Sequence, residues 1–520
     1  MKLLLRFSSL LLLLAGFVLV FSRCHKEKIL TDSGAMLEFS NDSVLFDTVF
    51  STIGSTTQYL HVYNRHNETI IISDVHLQSG SGSQYRFNID GVDGPIAENI
   101  EILPNDSIWL FVEVTVDPGG VNVPFVVEDL LVFNTNGNEQ SILLNAWGRD
   151  AYFHGTNIPE NGVVQENGLW FYPLDCNEVW TDDKPHVIYG PVMVLPGCTL
   201  TINPGVEVYV HGKSGIWVNG GTLIAGAEFG ELVTFQGDRL EPEFASLPGQ
   251  WGIQFDIPYE TGSSSEIANY FRGGIWIQNS PGSTITNCEL RNGNMGIWVD
   301  LSGTPYDGEE FSCNILNTKI LNMAGIGLVA QTATIKAQNL LCGNCGEACA
   351  YFSLGGCYHV DNCTFANYWA GGARTAPAFA LNNYYVDTPT QTVYTYTLQN
   401  THFRNCIMFG NSAFLTDFSE FVVDLYNETL GDQEFEFNYC LVDANVNVDD
   451  DGLHYFNMVN NQAPSLCDPA GQNFRINTNS NAMVGSVNLF PSTYQTDIAG
   501  NFWVPDPINK GCYKYTGECE

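Results

Sequence analysis

Closely spaced cysteines are the residues of this chain that most resemble a metal site. Cys342, Cys345 and Cys349 lie close together, and Cys357 and Cys363 follow. Zinc is often bound by such thiolates, but spacing alone is weak evidence, and exported chains use cysteine mainly in disulfides. We therefore predict no metal ligand and expect Cys345, Cys349 and Cys357 to close a local loop. Zinc is the alternative.

The remaining cysteines fit an oxidising compartment. The chain has 15 cysteines, and setting aside Cys24, a candidate lipid attachment site, leaves an even number. Even numbers favour a disulfide framework in an exported chain. We expect Cys176 to pair with Cys198, and Cys512 with Cys519.

Catalytic signals are sparse. A glycoside hydrolase needs paired carboxylates, and a polysaccharide lyase needs a basic residue that acts as the base. Asp449, Asp450 and Asp451, near His454, form the one acidic cluster of this kind. Three consecutive aspartates cannot share one face of a strand, and such a run is typical of a solvated or calcium-binding loop. We predict no catalytic residue and no cofactor except, as an alternative, structural calcium.

Two tryptophans are the candidate ligand-binding residues. Trp276 and Trp298 are one 22-residue repeat apart, so they should stack about 4.8 Å apart on one outward face. Their flat rings suit sugar rings, and Arg272 and Arg291, nearby in sequence, would supply a polar rim. The alternative is that an insertion covers them, because exposed aromatic residues seldom stay bare.

A repeated phrase predicts the element that carries these tryptophans. Gly-Ile-x-apolar, or a close variant, begins at residues 215, 252, 274, 296 and 325, with spacings of 37, 22, 22 and 29 residues. A period near 22 suits one coil of a β-solenoid. Because side chains alternate along a strand, the Ile and the final apolar residue should point inward and the residue between them outward. The predicted outward residues are Trp217, Gln254, Trp276, Trp298 and Gly327.

An asparagine ladder supports the same solenoid. Asn-x-x-apolar-x-Asn begins at Asn287, Asn317, Asn339, Asn362 and Asn400, with Asn438 to Asp443 as a variant. Asn tolerates the left-handed conformation at turns, so a structural role is expected. The predicted inward residues are Leu290, Ile320, Cys342, Phe365, Phe403 and Leu441. Cys288 and Cys363, one position after the ladder Asn, should be small core residues.

Composition and charge narrow the partners. The chain has 520 residues, 44% of them hydrophobic, and its 20 basic and 57 acidic residues give a net charge of -37. Such a surface repels nucleic acid and anionic lipid, and also polyanionic substrates unless calcium bridges them. We therefore predict no nucleic-acid partner.

The N-terminus is typical of an export signal. Lys2 and Arg6 precede an apolar run from Leu10 to Val20, which is short for a membrane span. The run ends before Cys24 and resembles a bacterial lipoprotein signal, which implies a signal peptide at 1–23, lipidation of Cys24 and a tether at 24–36. The lipid anchor would hold the chain at the outer membrane, facing either the cell surface or the periplasm. Arg23 departs from the small residue expected there, which leaves ordinary cleavage or an uncleaved anchor as alternatives.

Residues 37–150 contain short alternating strands, with Asn136-Gly137 as a hairpin turn. Their phrases resemble the immunoglobulin-like ASPM/SPD-2/Hydin family, which implies a β-sandwich that serves as a spacer or docking module. The phrases are Leu60-His61-Val62-Tyr63-Asn64, Ile102-Leu103-Pro104-Asn105-Asp106-Ser107, Val114-Thr115-Val116-Asp117-Pro118 and Ala146-Trp147-Gly148.

Residues 188–460 are predicted to form the solenoid, after a linker and cap at 151–187 and before a C-terminal coil and cap at 461–520. The run from Val194 to Ile202, Gly221-Thr222-Leu223-Ile224-Ala225 and Asn473-Phe474-Arg475-Ile476 resemble right-handed parallel β-helix surface proteins of Bacteroidetes. The expected fold is therefore all-β, an immunoglobulin-like sandwich followed by a right-handed parallel β-helix. The expected function is non-catalytic binding of a glycan or a cell-surface protein. A lyase or glycoside hydrolase, or a scaffold subunit of an outer-membrane complex, is the alternative.

Overall fold

The computed structural model describes residues 28–519. The residues left undescribed within that span are 52–53, 118–124, 156–163, 167–168, 228–229, 262–263, 301–310, 388–390, 412–417, 427–432, 484, 487–495, 504–508 and 517–518. For 164–166, 169, 256–261 and 264–270 the backbone alone is described. The chain divides into two compact units, 1–150 and 151–520. The described residues contain strands and three 3₁₀ helices, Gly80–Gly82, Pro242–Phe244 and Asn481–Met483, but no α-helix.

The first unit is a sandwich of two five-stranded sheets. The first sheet contains, in order, Glu38–Phe39, Gln58–Tyr63, Ser107–Val114, Tyr85–Ile89 and Val92–Asp93. The second contains Ser43–Phe50, Asn138–Arg149, Phe125–Thr135, Ile70–Leu77 and Ile96–Ile102. Neighbouring strands are antiparallel except for the parallel pair formed by Ser43–Phe50 and Asn138–Arg149. The predicted hairpin turn is confirmed, because Asn136 and Gly137 have φ of 52° and 83° and join paired strands.

The second unit is a parallel β-helix built from three long sheets, called here the first, second and third solenoid sheets. The first contains Tyr152–His154, His186–Ile188, Glu207–Val210, Val233–Gly237, Cys288–Arg291, Lys319–Leu321, Leu341–Gly343, Thr364–Asn367, Ile407–Gly410, Leu441–Val442 and Val459–Asn460. The second contains Val164–Glu166, Leu169–Pro173, Pro191–Val194, Gly215–Asn219, Ile275–Gln278, Ile297–Asp300, Leu328–Gln331, Ala350–Ser353, Phe379–Asn382 and Phe421–Asp424. The third contains Val179–Trp180, Thr199–Ile202, Thr222–Ala225, Ser283–Thr286, Cys313–Leu316, Thr334–Gln338, Cys357–Asp361, Thr401–Arg404, Phe435–Asn438 and Tyr455–Phe456.

Three two-stranded hairpins complete this unit. They are Gln254–Thr261 with Ser264–Phe271, Tyr384–Asp387 with Thr392–Thr395, and Leu466–Asp468 with Asn473–Ile476. The predicted all-β class, with an immunoglobulin-like sandwich followed by a parallel β-helix, is confirmed.

The strand phase predicted from the Gly-Ile phrase is confirmed for three coils. Ile216 pairs with Ile275, and Ile275 pairs with Ile297, in consecutive parallel strands of the second solenoid sheet. All three, like the apolar residues two positions later, are buried in the solenoid core. Burial of a full column of such side chains removes apolar area from water at every coil and stabilises the stack.

Two of the five phrases were assigned wrongly. Gly252 to Phe255 does not form a coil strand, because it leads into the hairpin inserted between two coils. In the last phrase the inward residue opposite Ile297 is Leu328 and not Ile326, which is half-buried. The turn before this strand is one residue longer than the turn on the preceding coil, since Arg291 pairs with Leu321 and Ile297 with Leu328. Gly327, predicted to face outward, instead lies against the buried thiol of Cys342, so this prediction is wrong.

The ladder asparagines occupy the conformation that their residue type favours. Asn287, Asn317, Asn339, Asn362 and Asn405 each precede a strand of the first solenoid sheet with φ between 49° and 54°. Successive side chains also bond each other, since Asn317 Nδ2 donates to Asn287 Oδ1 at 3.3 Å. The structural role predicted for these residues is therefore confirmed.

The later ladder positions differ from the prediction. Phe365 pairs with Met408, so Asn405 and not Asn400 continues the ladder, and Phe403 belongs to the third solenoid sheet, where it is still buried. Leu441 does not point into the solenoid core. It packs outside it against Ile407 in a cluster with the C-terminal segment.

The cysteine pairing is confirmed in part. Cys176 and Cys198 form the predicted disulfide. Cys519 pairs with Cys467 and not with Cys512, which is a buried free thiol. The remote hairpin that contains Cys467 lies beside the end of the chain, a contact that sequence spacing does not reveal.

Other cysteines remain free thiols. Cys345, Cys349 and Cys357 form no disulfide, so the predicted local loop closure is wrong. Cys288 and Cys363 are buried in the solenoid core, as predicted. The apolar run from Leu10 to Val20 and Cys24 lie outside the described residues. Within the described part of the chain, no helix has the length and apolar character needed to cross a membrane.

Candidate functional site

The solenoid tryptophans form a stack on the outward side of the second solenoid sheet. Trp217 pairs with Trp276, and Trp276 pairs with Trp298, on successive strands. The rings of Trp217 and Trp276 are stacked, with centroids 4.4 Å apart and planes 9° apart. The outward register and the one-coil spacing follow from strand alternation, as predicted.

This stack is covered. Trp276 is 4% exposed, and Trp217 is 3% exposed. Both belong to a cluster outside the solenoid core, which includes Ile253 and Phe255 at the start of the inserted hairpin. Trp298 is half-buried at the edge of this cluster. The expected bare aromatic surface is therefore absent from this face, and the alternative of a covering insertion describes the packing.

The polar surroundings of the stack include a buried acid. Trp276 Nε1 donates to Asp300 Oδ2 at 3.1 Å, whereas Asp300 Oδ1 and Trp298 Nε1 are buried and have no hydrogen-bond partner among the described residues. Burial raises the pKa of Asp300 to about 6, against the opposing effects of the Trp276 hydrogen bond and the positive charge of Arg272. The Arg272 guanidinium carbon lies 4.8 Å from the centroid of the Trp298 ring and 5.5 Å from that of Trp276. Arg272 therefore belongs to this site, as predicted.

Arg291 lies on a different sheet. Its strand belongs to the first solenoid sheet, and its guanidinium forms an ion pair with Glu289. Glu289 also accepts a hydrogen bond from Lys319 Nζ, which lies on the next coil, at 3.4 Å. The prediction that Arg291 borders the tryptophans is therefore wrong. Arg291 is close to Trp298 in sequence, but a corner of the coil separates their two strands.

The acidic run is a turn-stabilising element. Asp451 Oδ1 accepts the backbone N–H groups of Leu453, His454 and Tyr455 at 2.8, 2.7 and 3.0 Å. Burial acts to raise the pKa of Asp451, but these backbone hydrogen bonds outweigh it and hold the pKa below its usual value. A carboxylate held ionised in this way is a poor proton donor, so the geometry gives no hydrolytic acid at this position.

A polar row on the third solenoid sheet is absent from the sequence-based expectations. Lys336, His359, His402 and Glu436 occupy one register on four consecutive coils. The rings of His359 and His402 are stacked at 4.1 Å, and burial together with the charge of His402 lowers the pKa of His359 to about 4. The 23-residue spacing of Lys336 and His359 is the one sequence signal that could have revealed this row.

The acids in and beside this row each face a basic side chain. His402 Nε2 lies 3.6 Å from Asp361 Oδ1, and Arg404 Nε donates to Glu436 at 2.9 Å. Retaining and inverting hydrolases both require two carboxyl groups facing one substrate bond. Here Glu436 pairs with Arg404 and Asp361 faces the His402 ring, so the two acids have separate partners, which favours a structural role.

An exposed aromatic surface lies on the first unit. Alternation along Gln58–Tyr63 and Ser107–Val114 buries one set of side chains in the sandwich core and turns the other set outward. We call the members of the outward set that carry a ring the aromatic platform. It consists of Tyr59, His61, Tyr63, Trp109 and Phe111. Tyr59 is 60% exposed, Trp109 46% and Phe111 39%.

The platform rings contact one another. The planes of Trp109 and Phe111 are 9° from parallel, and their centroids are 6.0 Å apart. Tyr59 approaches Trp109 edge-on at 5.2 Å from the neighbouring strand. These contacts restrict the rotamers of the rings, so less conformational entropy is lost when a ligand binds.

A polar pocket borders the platform. Asn88 pairs with Phe111, and Arg86 pairs with Glu113, on the adjacent strand of the same sheet. The pocket has a volume of about 340 Å³. It is lined by Arg86, Phe87, Asn88, Asp93, Gly94, Phe111 and Glu113. Asn88 Nδ2 donates to Asp93 Oδ1 at 2.7 Å, which fixes the amide at the pocket wall.

The sequence contained a signal for this surface. Aromatic residues and His alternate with aliphatic residues from Tyr59 to Tyr63, and Trp109 and Phe111 repeat the pattern. This alternation alone does not distinguish an exposed face from a covered one, because strand register does not determine exposure.

No protein-family model and no curated protein matches the chain. Several solved structures align with parts of the chain. An ASH/PapD-like domain of human CEP192 is 12% identical and covers 25% of this chain and 96% of that one, with a TM-score of 0.16. The periplasmic chaperone SfaE is 14% identical and covers 26% of this chain and 71% of its own, with a TM-score of 0.16. The catalytic domain of a GH87 α-1,3-glucanase is 9% identical and covers 78% of this chain and 81% of its own, with a TM-score of 0.23. Similarity at this level gives no information on function.

Proposed function

We propose that this protein is a non-catalytic glycan-binding protein and that the aromatic platform of the first unit contacts the sugar. One observation carries the proposal: three large aromatic side chains stay between 39% and 60% exposed on one face of one sheet. Contiguous exposed aromatic surface on a soluble unit marks an interaction site, since leaving it in water is unfavourable.

The chemistry of the face favours a sugar. Aromatic faces offer apolar contact area, and the polar pocket at their edge offers hydrogen-bond donors in Arg86 and Asn88 and acceptors in Asp93 and Glu113. A volume of about 340 Å³ is within the range of small-ligand pockets. The net charge of -37 disfavours a polyanionic chain, so the ligand class is a neutral glycan.

The cellular location is part of the same proposal. A lipid on Cys24 would hold the chain at the outer membrane, where the platform would meet glycans outside the cytoplasm. Cys24→Ala should move the protein from the membrane fraction to the soluble fraction. Failure of the wild type to incorporate radiolabelled palmitate would contradict the anchor without affecting the platform.

Glycan binding is tested with the double variant Tyr59→Ala, Trp109→Ala. Loss of two stacking rings costs about 1 kcal/mol each, so affinity for a neutral glycan should fall by about thirtyfold. A glycan array identifies the ligand, and calorimetric titration of the full chain gives the affinity.

Trp147→Ala is the matched control. Trp147 is 51% exposed but lies on the second sheet of the sandwich, so its removal should leave the affinity unchanged. Circular dichroism verifies that all variants are folded. The proposal fails if the wild type binds no glycan, as expected of a protein-docking scaffold, or if Trp147→Ala weakens binding as much as the double variant.

A further inference from the structure

Three cysteine thiols meet inside one corner of the solenoid. Cys342 lies in strand Leu341–Gly343 of the first solenoid sheet, Cys345 in the turn that follows, and Cys349 immediately before strand Ala350–Ser353 of the second. Their three Sγ atoms lie within 4.8 Å of one another, and all three residues are fully buried. Cys342 Sγ and Cys345 Sγ are 3.9 Å apart, against about 2.0 Å in a disulfide. The arrangement is therefore a cluster of free thiols.

The neighbouring coil leaves room for the cluster. Gly327 lies directly against it, and a Cβ at this position would be 2.1 Å from Cys342 Sγ and 3.2 Å from Cys345 Sγ. Any side chain there would collide with the sulfur atoms. Gly327, at the variable third position of its phrase, therefore leaves the space in which the thiols meet.

The corner is also held rigidly. The Cys345 N–H donates to Asn367 Oδ1 at 3.1 Å, and Asn367 Nδ2 donates back to the Cys345 carbonyl at 2.9 Å. Asn367 is itself fully buried. Fixed outer contacts of this kind orient the ligands of metal sites and lower the cost of bringing them together.

Metals bind the thiolate form of cysteine, so each of the three thiols would give up its proton when it binds an ion.

We propose that Cys342, Cys345 and Cys349 form a three-sulfur site for monovalent copper. No histidine or carboxylate joins the cluster among the described residues, so the site offers three sulfur ligands. Structural zinc sites are almost always four-coordinate, whereas soft thiolate donors select Cu(I). Binding releases thiol protons to solvent and leaves the oxidation state of copper and sulfur unchanged. Because the thiols are fully buried, the ion enters as the chain folds.

Copper content tests the site directly. The full-length chain is refolded under reducing conditions with Cu(I) and a competing chelator, desalted and analysed for metal by mass spectrometry. We expect one copper per wild-type chain and less than a tenth of that in Cys345→Ser. Cys363→Ser is the matched control, because Cys363 is an equally buried free thiol outside the cluster, and it should retain one copper.

A second measurement needs no variant and remains decisive if Cys345→Ser fails to fold. X-ray absorption at the copper edge of the wild type should show sulfur neighbours alone, three in number. Nitrogen or oxygen ligands, preferential uptake of zinc in an equimolar mixture, or full copper content in Cys345→Ser would overturn the proposal. A Cys342–Cys345 disulfide in peptide maps, with no copper uptake after its reduction, would also overturn it.

Discussion

The molecule has two rows of outward aromatic residues, and they differ in what lies above them. Trp217, Trp276 and Trp298 on the solenoid and Tyr59 and Trp109 on the sandwich all occupy outward positions of their strands. Trp276 is nevertheless 4% exposed, whereas Trp109 is 46% exposed. The same local pattern therefore produces a packed cluster in one unit and an open surface in the other.

The difference shows that facing out of a sheet is not the same as being exposed. Register is a local property, because strand alternation sets it. Exposure depends on insertions, and the solenoid cluster is closed by Ile253 and Phe255, which precede Trp276 by about one coil. In the solenoid the indole rings contribute to stability, and in the sandwich they are available to a ligand.

The largest expected effect separates the two rows by stability. Trp276→Ala should reduce the free energy of unfolding by about 3 to 5 kcal/mol, because it leaves a cavity beneath the inserted hairpin. Trp109→Ala should reduce it by less than about 1 kcal/mol, since the side chain is already 46% exposed and its removal leaves no enclosed cavity. Chemical denaturation of the two variants beside the wild type gives both values.

Trp147→Ala again serves as a control for removing an exposed indole and should behave like Trp109→Ala. Equal losses for Trp276→Ala and Trp109→Ala would contradict the distinction between a packed and an open row. Fluorescence quenching by a neutral quencher offers an independent readout, because removal of Trp109 should reduce the quenched fraction and removal of Trp276 should not.

The sequence predicts those features of the fold that depend on short-range geometry. The Ile216, Ile275 and Ile297 column follows from alternation, and the ladder asparagines follow from the ease with which Asn adopts positive φ. Cys176 and Cys198 are one coil apart, so their pairing also follows from the repeat. Each of these features follows from a pattern that is visible in the sequence itself.

Other features depend on loop lengths or long-range contacts. Leu328 replaces Ile326 as the inward residue because the turn before it is one residue longer than the turn on the preceding coil. Cys519 pairs with Cys467 because the C-terminal segment packs beside a hairpin. For the candidate sites, the position of Arg272 beside the tryptophans and a covering insertion both followed from the sequence, but the identity of the covering residues, Ile253 and Phe255, did not. The convergence of the thiols likewise requires Gly327 on another coil.

The pH dependence of stability at Asp300 gives a further test of the difference between the two rows. Burial raises its folded-state pKa to about 6, above the ordinary 3.8, so the folded protein holds a proton that the unfolded chain has lost. Stability contributed by this proton is therefore present at about pH 4 and is lost as the pH rises through 6. A shift of about two units corresponds to about 2 to 3 kcal/mol.

Asp300→Asn removes the titration and keeps an oxygen that can accept the Trp276 N–H at the same place. The variant and the wild type should be about equally stable at pH 4, and the variant should be more stable by about 2 to 3 kcal/mol at pH 7. Denaturation at several pH values gives this difference, in which the titration of all other groups cancels. A difference that stays constant from pH 4 to 7 would mean that Asp300 is solvated in solution and that the cover over the tryptophan row is open. The open row would then resemble the platform, and the contrast between the two units would be lost.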